Sequence, residues 1–81
     1  MIIQIPPERL NSTTLQTLIE EYVLRNSEEY EATPLTERRE VVEGLLRTGE
    51  VLIVYDCFEE SCTIIRCEEQ PFDLITEAEA G

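Results

Sequence analysis

The sequence has no histidine, no lysine, no tryptophan and only three glycines. Without histidine the commonest general base is gone, and most nucleophilic triads with it. Without lysine there is no amine for a Schiff base. Cysteine nucleophiles need a base beside the thiol, and this composition supplies none. So few glycines leave no glycine-rich phosphate loop. No stretch approaches the roughly 18 apolar residues of a membrane span. The opening "MIIQIPPERL" has a short apolar run but no basic leader and no small-residue cleavage site. The expected location is therefore cytoplasmic and reducing, and the expected protein is not an enzyme.

Basic charge is scarce as well. Eighteen acidic residues face six basic ones, all arginine, for a formal net charge of −12. Phosphate contacts supply most non-specific nucleic-acid affinity and need a basic surface, so direct nucleic-acid binding is not expected. Anionic membranes repel the chain for the same reason. One alternative uses the charge directly: carboxylates at phosphate-like spacing would mimic nucleic acid and block a nucleic-acid-binding protein.

What is present is one small domain. Eighty-one residues at 42% hydrophobic content support a single thin core and at most two layers. "MIIQI" reads as a short strand halted by Pro6 and Pro7, which cannot donate to a ladder. Asn11 or Ser12 can cap a helix over about 13–26, with Leu10 stapled to Leu15 if Asn11 is the cap. Leu15, Leu18, Ile19, Tyr22 and Val23 fall on one side of it at helical spacing. Glu21 and Arg25 stand at i, i+4 in the favourable order.

After the polar "NSEEYEATP", Thr33 and Pro34 open a second helix, with proline at its first position. Leu35, Val42, Leu45 and Leu46 line one face, Val41 lies near its edge, and Gly49 closes the helix. "VLIVYD" and "CTIIRC" are strands joined by the turn "FEES". The expected fold is α+β, with two helices on one face of a small, mainly antiparallel three-stranded sheet in the order β-α-α-β-β. Residues 1–69 form the domain, and 70–81 form a C-terminal tail that is partly ordered at most.

The three cysteines, Cys57, Cys62 and Cys67, stand at even intervals. With "FEES" as the loop, Cys57 faces Cys62, Tyr55 pairs with Ile64, and Leu52 pairs with Cys67. Cys62 and Cys67 then point to opposite faces about 16 Å apart. They cannot meet on one zinc, and no histidine completes a site. No metal or cofactor is expected. A Cys57–Cys62 disulfide is geometrically open as a redox switch, whereas Cys67 reads as a small core residue. Paired carboxylates such as Glu28–Glu29 and Glu59–Glu60 read as solvated faces.

Alternation puts Val51, Ile53, Tyr55 and Ile64 on one face of the hairpin. Leu52, Val54, Ile65 and Cys67 are on the other, which reads as the better core for the helices. The first face then needs a cover: the tail through Phe72, Leu74 and Ile75, or a second protein, including a copy of this chain. Arg25, at the end of the first helix, reads as a helix cap, an ion-pair member or an anchor for a partner.

The runs "IP" at 5–6, "TLQTLIEEYVLR" at 14–25, "GEVLIVYD" at 49–56 and "ESCTII" at 60–65 resemble the YheU family of small uncharacterised bacterial proteins. The match covers roughly residues 2–66. Where that family reads something like "REGTDYG", this chain has "RNSEEYE", which keeps Arg25 and Tyr30 but not the glycines and threonine. The resemblance implies an α+β fold and a cytoplasmic bacterial protein, and it implies no activity. The candidate partner-binding residues are therefore Arg25, Tyr30, Ile53, Tyr55 and Ile64. Their expected partner is an unidentified protein or a second copy, and a small-ligand site is a further alternative.

Overall fold

A computed structural model describes residues 1–71 and 74–76. Its elements are β1 (Ile2–Ile5), α1 (Ser12–Arg25), α2 (Leu35–Thr48), β2 (Val51–Asp56), β3 (Ser61–Arg66) and β4 (Ile75–Thr76), with short 3-10 turns at Pro7–Arg9, Ser27–Tyr30 and Cys67–Glu69. The strands form one sheet in the order β3-β2-β1-β4. β1 and β3 run antiparallel to β2, and β4 runs parallel to β1. The architecture is the expected α+β arrangement, widened by a two-residue strand from the segment read as a tail.

Local chemistry explains the helix boundaries. Asn11 caps α1, its Oδ1 accepting from the Thr14 amide at 2.8 Å, while Leu10 and Leu15 both pack against the core. Pro34 is extended (φ −56°, ψ 143°) and stands just outside α2 as its cap, one position earlier than expected. No side chain caps that end. The Thr33 carbonyl instead accepts from Arg38 Nε at 2.9 Å. Gly49 ends α2 at φ 84°, a left-handed conformation that costs any residue with a Cβ.

The β2–β3 register differs from expectation by two residues. Tyr55 pairs with Cys62, Ile53 with Ile64, Leu52 with Ile65 and Val51 with Arg66. The loop is therefore residues 57–60 rather than "FEES". Asp56 sets it: its Oδ1 accepts from the amides of Phe58 (2.8 Å) and Glu59 (3.3 Å), a local turn that competes with strand extension. Glu60 completes the reversal at φ 52°. A shift of two preserves which side chains share a face.

The face covered by the helices is the opposite of the one expected. Val51, Ile53 and Ile64 join Leu18, Ile19, Tyr22, Val23, Tyr30 and Val42 in the core, and Ile5 and Cys62 pack against them. β2 is apolar on both sides, so its own alternation does not decide the matter; its neighbours do. Ile3 and Ile5 stand beside Tyr55 and Ile53, and Ile64 beside Ile53. On the reverse face Gln4 stands beside Val54, and Thr63 and Ser61 beside Val54 and Asp56. Fully burying such an aliphatic side chain contributes about 1.5–3 kcal/mol, and the helices take the richer side.

Leu52 and Val54, on the reverse face, are still only 9% and 4% exposed. β3 and β4 lie at opposite edges of the sheet. Leu74, just before β4, is half-buried. Phe72 and the side chain of Ile75, the other two residues expected to cover the sheet, lie outside the described residues.

Candidate functional site

The five residues singled out from sequence do not assemble into a surface. Ile53 and Ile64 are each 1% exposed, directly beneath the helices, so neither can meet a partner in this fold. Tyr55 is half-buried between Ile3 and Cys62. Tyr30 is 5% exposed, its ring edge-on to Tyr22 with centroids 6.1 Å apart. Burial, with Tyr22 beside it, pushes the Tyr30 phenol up to about 12. That tyrosine is a core residue hidden in a polar stretch.

Arg25 is committed to the sheet. Its guanidinium donates to Thr63 Oγ1 at 3.0 Å and to the Ile64 carbonyl, and it lies 5.8 Å from the Tyr22 ring centre. Cys67 N–H bonds Glu50 O, and hydrogen-bonded pairs alternate along an antiparallel ladder. The polar backbone groups of Ile64 therefore face outward from edge strand β3, and Arg25 satisfies that edge. Nearby, Arg66 pairs with Glu29, lies 3.9 Å from Glu68 and donates to Asn26 Oδ1 at 3.3 Å. These contacts tie the turn after α1 to the end of β3, and both arginines are used structurally.

The cysteines make no shared site. Cys57 is exposed in the turn and Cys62 is half-buried against the core; Cys67, expected in the core, is exposed in the 3-10 turn after β3. The shifted register places Tyr55, not Cys57, opposite Cys62, which removes the cross-strand pair that a disulfide would need. Among the described residues no group of three histidine, cysteine or acidic side chains is arranged to hold a metal ion.

A groove of about 540 Å³ lies between α1 and α2. Ile19 and Val23 form its floor. Leu24 on α1 and Leu35 on α2 stand at its rim, 76% and 77% exposed. Leu24 follows the buried Val23 by one position, about 100° further around the helix, which turns it off the sheet-facing stripe. Leu35, expected on the buried face of α2, occupies its first turn beyond the reach of the sheet. Glu20 lines the α1 wall, while Arg38 and Arg39 line the α2 wall. Arg39 bonds Glu43 at 2.9 Å and reaches across to Gln16 at 3.4 Å. The sequence signal for this groove was Leu24, one step outside the α1 stripe, and Leu35, at the N-terminal end of the α2 stripe; periodicity alone separates neither from core.

A thin two-layer α+β domain with an open helix–helix groove is the class these features define. The chain belongs to UPF0270, an uncharacterised protein family whose model matches residues 1–69; this is the YheU family. It is 33% identical over 72 residues to a UPF0270 protein of Pseudomonas paraeruginosa, covering 88% of this chain and 95% of that one. A UPF0270 protein of Stutzerimonas stutzeri is 35% identical over 68 residues, covering 83% and 91%. One from Pseudomonas putida is 32% identical over 72 residues, covering 88% and 96%.

Proposed function

We propose that this chain is a non-enzymatic domain that works by protein–protein contact through the α1–α2 groove. The observation that carries the reading is the pair Leu24 and Leu35, 76% and 77% exposed on the rim of an apolar floor. Large apolar side chains gathered around a groove, rather than scattered singly, are characteristic of interaction surfaces. The absence of histidine and lysine supports the non-enzymatic half, since the usual acid–base and amine chemistry has no carrier.

The test is affinity capture from a native extract at low and high salt, with the wild-type chain and the Leu24→Gln/Leu35→Gln variant as parallel baits. An apolar contact holds its partner through added salt, whereas an acidic nucleic-acid mimic loses it steeply. The expected result is a salt-resistant partner bound by the wild type and lost by the variant. Identical capture by both baits would rule the groove out.

A further inference from the structure

Resting on the docking reading above, we propose that the groove's occupant is a second copy of this chain, related by a two-fold axis that runs along the groove. Such an axis lays α1 of each copy over α2 of the other, so every wall meets its opposite. The two walls differ in the way this requires. α1 presents Glu20 and Leu24, and α2 presents Arg38 and Leu35. Leucine then meets leucine along the seam, and the contact of Glu20 with the other copy's arginine wall forms twice, once on each side of the axis.

Charge also explains why two such chains would meet here and not elsewhere. The chain carries −12 overall, so most of its surface repels another copy. The groove is the exception: Arg38 stands opposite Glu20 and Arg39 is paired with Glu43, so cations there balance carboxylates. A strongly basic partner would be drawn to the acidic remainder of the surface. A second acidic chain can approach closely only where the local charge is balanced and the two signs lie on opposite walls. The apolar seam supplies affinity, and the Glu20–arginine contacts fix the register. Because the whole-chain term is repulsive and salt screens it, association strengthens as salt is added.

Sedimentation equilibrium of the purified full chain, run over a concentration series at two salt concentrations, tests this directly. The expected result is a doubled mass, favoured by the higher salt, and a single mass for Leu24→Gln/Leu35→Gln with an unchanged circular dichroism spectrum. Glu20→Arg and Arg38→Glu each lose the doubled mass alone, because each puts like charges across the seam. An equimolar mixture of those two variants regains it, because each wall again meets its opposite. A chain that stays monomeric at millimolar concentration overturns the proposal, as does a mixture that fails to reassociate. If the chain is monomeric but the leucine variant still abolishes capture from an extract, the second-copy inference fails and the docking reading stands. If the leucine variant alters neither mass nor capture, both fail.

Discussion

The guanidinium of Arg25, at the last residue of α1, donates to the carbonyl oxygen of Ile64 on edge strand β3. One side chain thus joins the end of a helix to the exposed side of a sheet, and satisfies an acceptor that would otherwise template another strand. A charged donor on a partly buried carbonyl is worth more than a neutral one. Arg25→Ala is expected to lower stability by about 1–2 kcal/mol in urea unfolding. Arg25→Lys should recover little of it, because an ammonium cannot serve both Thr63 Oγ1 and Ile64 O in the fork that a guanidinium provides. Full recovery by lysine would show that charge alone matters at this position.

Two glycines near the end of α2 should respond in opposite directions. Gly44 lies inside the helix, and a Cβ there would meet only Arg47 Nη2, at an ordinary 3.8 Å. Gly44→Ala removes backbone freedom from the unfolded chain at no steric cost, and should stabilise by about 0.5–1 kcal/mol. Gly49, at φ 84°, also has open space around it, but the conformation itself penalises a side chain. Gly49→Ala should cost about 1–2 kcal/mol. Thermal melts of the pair separate the two causes, since neither substitution meets a clash.

Ile53→Asp is a test of the fold. Ile53 is 1% exposed and clustered with the α1 and α2 stripes, and no described charged residue is buried with it. An unpaired buried carboxylate of this kind costs upwards of about 3–5 kcal/mol, enough to unfold a chain of this size. Loss of the folded circular dichroism spectrum is expected. A well-folded Ile53→Asp protein would restore the opposite face assignment.

The contrast with the sequence reading lies in particular residues. Helix limits were legible because Asn11 and Gly49 act within a few positions of themselves. The two faces of β2 were legible as sets, but not which set the helices take. That choice depends on Gln4, Ser61 and Thr63, polar neighbours brought alongside only by long-range pairing. Register was lost at Asp56, whose side chain captures two amides and closes the turn one residue early. Tyr30 was hidden because a buried aromatic in a polar run leaves no periodic signal. β4 was hidden because a two-residue parallel pairing with β1 carries no local signature. The groove needed the relative placement of two helices, which no single helical period contains.

Thiol chemistry should sort by exposure. Cys57 and Cys67 are open to solvent, whereas Cys62 packs against the core and burial pushes its thiol pKa up. Reaction requires thiolate and access, and Cys62 is short of both. A disulfide-exchange reagent at mildly alkaline pH should titrate two thiols quickly and the third slowly, with the slow phase merging into the fast one in denaturant. The Cys62→Ser variant should lack that slow phase alone. Three equal rates in the folded protein would contradict the placement of Cys62.

Alkaline unfolding should report on Tyr30. Its phenol, buried among apolar side chains and beside Tyr22, is pushed up from 10.0 to about 12. A raised pKa means that the folded state holds this proton more tightly than the unfolded chain does. The associated stability is fully present below pH 10 and is lost as pH climbs from 10 towards 12, where the unfolded chain ionises and the folded one resists. Stability measured by urea unfolding should therefore decline through that window. Tyr30→Phe keeps the ring against Tyr22 and removes the ionising group, so its decline over the same window should be shallower. Tyrosinate absorbance offers an independent view: the wild type should show one tyrosine ionising late, and the variant should lack it. If the two proteins lose stability in parallel between pH 10 and 12, burial of Tyr30 is not what resists ionisation.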